Sequence, residues 1–190
     1  YAPGESFVNY KQRRVPVSLD APVFTLTHAM GFKGVLGGEY NFNRTEASIW
    51  KRFWLPASWG KIDCSVKAGA EWNTVPFPLL ILPEANLSYI TQRETFCLIN
   101  NMEFLNDRFA SMSISYDMNG KLFNRIPLLK NLKWREMFRV RALWGTLTDK
   151  NNPFKSSNPD LFRFPTRDGK FTSFVMDPKL SLIHISAPTR

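Results

Sequence analysis

Nucleophilic catalysis needs a base beside the nucleophile, and histidine usually supplies it. The chain has two histidines, His28 and His184. His28 alternates with Phe24, Leu26 and Met30, so a packed structural histidine is the expectation. His184 lies in a tail treated below. Glu103 and Asp107 stand four positions apart and could pair as acid and base on a glycan. The competing reading is a capped strand end beside a surface turn. No His-Glu-x-x-His and no glycine-rich phosphate loop occurs; Gly31-Phe-Lys-Gly34 with Gly37-Gly38 reads as a turn. Cys64 and Cys97 fall in strand-like segments and act as small apolar residues, and the spacing leaves a disulfide between them open. No Cys/His cluster has metal-ligand spacing. The expectation is therefore no catalytic residue, no cofactor, no metal and no enzymatic activity.

Charge narrows the partners. The 25 basic and 16 acidic residues leave a formal charge of +9. Such an excess suits nucleic acid, phospholipid headgroups or lipopolysaccharide, or else solvated loops and a water-filled lumen. Lys11-Gln-Arg-Arg14 is the densest basic run and reads as a lipid or nucleic-acid contact or as a solvated loop.

The elements that would position these residues are strands. Ile62, Cys64, Val66, Ala68, Ala70 and Trp72 alternate with Asp63, Ser65, Lys67, Gly69 and Glu71. Ala110, Met112, Ile114, Tyr116 and Met118 alternate with Ser111, Ser113, Ser115, Asp117 and Asn119. Phe138, Val140, Ala142 and Trp144 alternate with Arg139, Arg141 and a misfit, Leu143. Period-two patterning of this kind predicts two-faced strands. Weaker strands are predicted over Val23–Met30, Gly38–Trp54 and Thr95–Phe104. That makes about six strands, many near the roughly 9–11 residues that cross a bilayer. One or two helical turns are predicted within Leu128–Met137. Pro56–Gly60 reads as a short turn, and Asn73–Gln92 and Thr146–Lys170 as long connections.

The chain is 44% hydrophobic and 14% aromatic, too apolar for disorder. No run of about 18 apolar residues is present, so a spanning helix is excluded and a membrane role requires a barrel. Alternation alone does not say whether the apolar face meets a core or lipid. Long strands favour lipid. So do the Trp50, Trp54, Trp59, Trp72, Trp134 and Trp144 side chains near strand ends, and charges such as Lys67, Glu71, Asp117, Arg139 and Arg141 on the polar faces.

Three stretches carry a resemblance: Val75-Pro-Phe-Pro-Leu-Leu80, Glu103-Phe-Leu-Asn-Asp107, and Gly120-Lys-Leu-Phe-Asn-Arg-Ile-Pro-Leu-Leu129 continuing to Arg135. Together they resemble the carboxy-terminal barrel of the family catalogued as domain of unknown function 5686, found mainly in Bacteroidota. The resemblance implies a long outer-membrane protein with a secretory signal and an amino-terminal carboxypeptidase-regulatory-like β-sandwich. That barrel distantly resembles the surface-antigen barrels that insert or translocate outer-membrane proteins. Those carry an Arg-Gly-Phe or Arg-Gly-Tyr tip, which is absent here; Arg93 in Thr91-Gln-Arg-Glu94 has different surroundings.

The segment Leu180–Arg190 departs from the style of the preceding chain. It resembles a translated sequencing adapter that has Glu where this chain has Ala187, and is expected to be non-native. The chain starts at Tyr1 rather than Met and is expected to be a slice of a longer protein. The expectations are then an all-β fold, antiparallel strands of an incomplete transmembrane β-barrel over 1–179, with a read-through tail over 180–190. The expected location is the cell outer membrane. The expected partners are its lipid and lipopolysaccharide, and other envelope proteins, with no nucleic acid. The expected role is assembly or transport. The alternatives are a soluble antiparallel β protein that binds a lipid or glycan, and a glycan-acting enzyme using Glu103 and Asp107.

Overall fold

Period-two alternation becomes pleated strand wherever β-branched and aromatic residues dominate. The computed structural model describes residues 1–18, 20–87, 95–131 and 134–152, and the backbone of 173–184. A small hairpin pairs β1 (Phe7–Tyr10) with β2 (Arg13–Pro16). A six-stranded sheet then runs in chain order. Its strands are β3 (Val23–Gly31), β4 (Phe42–Trp54), β5 (Lys61–Glu71), β6 (Arg108–Asp117), β7 (Trp134–Thr146) and β8 (Ser173–His184). Every neighbouring pair is antiparallel. β3 and β8 are the two outer strands, so the sheet is open. Among the described residues helix is confined to α1 (Pro127–Lys130) and two short 3₁₀ turns, and none is long and apolar enough to cross a membrane.

Five of the expected strands are present; the expected helical turn over Leu128–Met137 is met only at its start, by α1 (Pro127–Lys130), while Trp134–Met137 belongs to β7. Thr95–Phe104 is not a strand. Only Phe96 makes an isolated bridge, with Ala85, and Met102 has a positive φ of 59°. Its apolar residues obey a different demand, burial of Phe96 and Ile99 against the sheet. The sixth strand is β8 instead. β8 crosses position 180, so Leu180–His184 stand opposite Trp134–Phe138; residues 185–190 lie outside the described residues. Cys64 and Cys97 are both free thiols.

The register puts Ile62, Tyr116 and Phe138 on one transverse row, and Val66, Met112, Ala142 and Ile49 on another. That face is exposed: Leu26, Ile49, Val66, Met112, Phe138, Val140 and Trp144 are all open at their surface. The opposite face holds Ser, Lys, Arg and Asp, yet the buried residues gather on that side and at the strand ends. The sheet is inside out relative to a soluble sandwich.

Turn chemistry fixes the strand ends. The β4–β5 turn places Ala57, Ser58 and Gly60 at positive φ. At Gly60 a Cβ would sit 1.8 Å from the Asp117 carbonyl oxygen, so the turn packs against the end of β6 through a bare backbone. Gly60→Ala is expected to destabilise the fold by about 2 kcal/mol or more, from a positive φ plus a steric clash. A denaturant midpoint unchanged from wild type would refute this account of the turn.

Candidate functional site

The polar face is built from the odd positions of β5, β6 and β7 and the even positions of β4. Register aligns Arg52, Asp63, Ser115 and Arg139 on one row, and Trp50, Ser65, Ser113 and Arg141 on the next. Arg52 grips Asp63 through two hydrogen bonds, Nε to Oδ1 at 2.6 Å and Nη2 to Oδ2 at 3.0 Å. Lys61 lies 3.9 Å from Asp117, and Arg44 pairs with Glu46. The two pairs that face one another across strands, Arg52 with Asp63 and Lys61 with Asp117, add roughly 0.2–1 kcal/mol each. A cavity of about 570 Å³ touches residues of β3 through β7 on this face, so the sheet curls around it. Its floor is hydroxyl-rich: Thr25, Thr27, Ser48, Ser65, Ser111, Ser113 and Ser115. Small hydroxyls with paired charges make this floor suited to water and hydrophilic solutes, while Ile81, Leu82, Phe96 and Leu143 form an apolar flank beside it.

The connection between β5 and β6 folds onto this face. Ile81 and Asn106 exchange backbone bonds of 2.8 and 3.0 Å, and the Phe96 N–H donates to the Glu84 carbonyl at 2.8 Å. Phe96, Ile99 and Leu143 form a buried cluster, with Ala85, Phe104 and Phe109 against it. Leu143, the apolar misfit on a polar face, is thus the anchor for the strap. Arg141 donates to the Thr95 carbonyl, and Lys67 lies 3.7 Å from Glu84. Two glycines make room. A Cβ at Gly69 would meet the Phe109 ring at 2.5 Å, and one at Gly145 would meet the Asn106 side chain at 2.4 Å.

A buried polar knot holds the root of the strap. The Asp107 carboxylate accepts from the Thr148 hydroxyl and, at 3.2 Å, from the Asn151 amide. Asn151 also donates to the Asn73 carbonyl at 3.2 Å and accepts from the Val75 N–H at 3.0 Å. Glu71 Oε1 accepts the Asn43 and Asn73 N–H groups at 2.9 and 3.3 Å. Beside the knot Val75, Leu80, Leu105 and Leu147 form a second buried cluster. At the opposite end Glu136, also buried, accepts the Phe123 N–H at 2.5 Å.

The residues singled out from sequence do not converge. His28 Nδ1 lies 2.8 Å from Thr45 Oγ1 on the apolar face. Glu103 accepts the Asn100 N–H at 2.9 Å and caps a turn, while Asp107 belongs to the knot, so the two carboxylates have separate structural tasks. Arg139 and Arg141 are on the polar face as expected. Lys11, Arg13 and Arg14 ride on the exposed hairpin. Gly34 and Gly38 close a turn, with the Gly34 N–H donating to the Gly38 carbonyl at 2.7 Å. Arg93 lies outside the described residues. Among the described residues no three His, Cys, Asp or Glu side chains group to hold a metal ion. The knot residues Glu71, Asp107 and Asn151 are not legible as a group in the sequence, because no local pattern links positions so far apart.

Leu143→Ser removes the apolar anchor of the strap. The expected cost is about 2–4 kcal/mol, as for other large-to-small core changes, with faster proteolytic cleavage within residues 81–99. Limited proteolysis checks this, and an unchanged cleavage rate would mean that the strap is held elsewhere.

No curated protein and no solved structure matches the chain. A family model, described as the C-terminal domain of a family of unknown function (DUF5686), matches residues 1–155. With that model covering most of its length, and with the three quoted stretches inside or beside the strap and the β6–β7 connection, the chain belongs to the DUF5686 family.

Proposed function

We propose that the chain is part of an integral outer-membrane β-barrel. Its apolar face meets lipid, its polar face lines a hydrated lumen, and it has no catalytic step of its own. In the whole protein this barrel assists assembly or transport at the outer membrane.

The observation that carries the reading is the uncovered apolar face. Phe24, Leu26, Ile49, Val66, Met112, Phe138, Val140 and Trp144 are exposed across five neighbouring strands. Burying such a side chain is worth about 1.5–3 kcal/mol. Left about half exposed, the eight together forgo on the order of 6–12 kcal/mol, comparable to the roughly 5–15 kcal/mol net stability of an ordinary domain. A bilayer removes that deficit. The strands are long enough for one, since β4, β5, β6 and β7 run 13, 11, 10 and 13 residues against the roughly 9–11 that cross a bilayer. Six strands fall short of the smallest barrels, of about eight. The open edges at β3 and β8 therefore call for further strands of the same protein.

Paired arginine substitutions test the face assignment in the full-length protein. Ile49→Arg puts a charge on the apolar face and is expected to cost about 2–4 kcal/mol near mid-bilayer. Ser113→Arg puts one on the hydrated face and is expected to cost far less. The readouts are recovery in the outer-membrane fraction and heat-modifiable migration on gels. Equal tolerance of both variants, or wild-type protein soluble without detergent, would overturn the barrel in favour of a soluble β protein.

A further inference from the structure

The β1–β2 hairpin stands apart from both the lumen and the apolar face. All eight of its strand residues are exposed, and it forms a sheet of its own. A lone two-stranded hairpin is marginal in water. This one still displays Phe7, Val8, Tyr10 and Val15, with Tyr10 73% exposed. Interleaved with them are Lys11, Arg13 and Arg14, and the Arg14 guanidinium lies 3.8 Å from the Phe7 ring centroid. Apolar and aromatic side chains mixed with long cationic ones fit a membrane interface, where rings enter the headgroup layer and cations reach phosphates. A nucleic acid could use the cations and stack on Phe7 and Tyr10 but would leave Val8 and Val15 in water, whereas a bilayer interface takes all of them.

Position strengthens the case. Tyr1 and Phe24 exchange backbone bonds of 2.8 Å each, which ties the hairpin segment to the start of β3. That is the end of the sheet that carries the 55–60 turn and the 118–133 connection, joined where Lys121 Nζ donates to the Ala57 carbonyl at 2.6 Å. The same ammonium lies 4.1 Å from the Trp59 ring, and Arg52 lies 5.7 Å from the Trp54 ring. The described residues of this end, 1–18, 20–22, 55–60 and 118–131, hold six basic and two acidic residues, a balance of +4. At the other end the described residues, 32–41, 72–87, 95–107 and 147–152, hold two basic and five acidic residues, a balance of −3. Outer-membrane barrels keep their shorter connections on the periplasmic side. The basic end has the shorter ones.

We propose that the β1–β2 hairpin is a headgroup anchor, seating Lys11, Arg13 and Arg14 on the phosphates of anionic glycerophospholipids in the periplasmic leaflet. The proposal rests on the membrane-barrel reading above. Residues 32–41, 72–87, 95–107 and 147–152 then face outward.

The test uses the full-length protein with Cys64→Ala, Cys97→Ala and Asn9→Cys, labelled at position 9 with a polarity-sensitive dye. The protein is reconstituted into phosphatidylcholine vesicles with or without phosphatidylglycerol. Phosphatidylglycerol is expected to blue-shift the emission. Each basic residue near an anionic surface is worth about fivefold in affinity. Lys11→Gln with Arg13→Gln and Arg14→Gln should therefore weaken the response on the order of a hundredfold. A shift equal in both vesicles, one untouched by the triple substitution, or one produced by an oligonucleotide or by lipid A but not by phosphatidylglycerol overturns the anchor. Wild-type protein in the outer-membrane fraction with no shift overturns the anchor alone. Wild-type protein absent from that fraction overturns the barrel reading with it.

Discussion

Asp107 fastens three chain segments at one end of the sheet. Its N–H donates to the Thr146 carbonyl at 3.0 Å, its carbonyl accepts the Glu71 N–H at 2.7 Å, and its carboxylate takes Thr148 and Asn151. Asn151 passes the connection on to Asn73 and Val75. The side chain is fully buried, so each lost bond would leave a desolvated charge behind. Hydrogen bonds to a charged group are worth about 1.5–3 kcal/mol each. This is enough to set the root of the strap against the ends of β5, β6 and β7. From that root the strap can reach only one face, the polar one.

The strap in turn explains features that contradict simple alternation. A polar face that merely bounded water would need no leucine at position 143 and no phenylalanine at 109. Both are there because Phe96, Ile99 and Phe104 come to them. Gly69 and Gly145 are small because Phe109 and Asn106 lie over them. The polar face is thus partly covered and partly open, and the cavity beside the strap is bounded by Leu82, Glu84 and Phe96 as well as by the serines of the floor. Charges left in the open part stand in pairs such as Arg52 with Asp63, geometry that keeps them compensated whether or not water is beside them.

Sequence revealed what depends on period two and concealed what depends on distant contacts. β5, β6 and β7 are legible because each side chain reports its own face. β3 and β4 are legible more weakly, since Thr25, Thr27, Ala47 and Trp50 blur the contrast. The 95–104 segment was misleading because its alternation of Phe96, Leu98, Asn100 and Met102 imitates a strand. Its backbone instead turns at Met102, and Leu98 is exposed while Ile99 is buried. Local pattern cannot register a partner such as Leu143, more than forty positions away. The knot was concealed for the same reason: Glu71, Asp107 and Asn151 read separately as lumen charge, turn carboxylate and loop amide.

An error of one strand has a disproportionate consequence in an antiparallel sheet. Each strand reverses the chain, so a false strand between β5 and β6 sends every later connection to the wrong end. With 95–104 counted as a strand, 118–133 would lie opposite the 55–60 turn, and connection lengths would show no order. The contacts forbid that arrangement. Lys121 reaches the Ala57 carbonyl and the Trp59 ring, and Gly60 abuts the Asp117 backbone. Both connections therefore share an end, while residues 32–41, 72–87, 95–107 and 147–152 share the other. The segregation of long connections, and with it the concentration of positive charge at the opposite end, follows from parity alone once the strap is recognised as a loop.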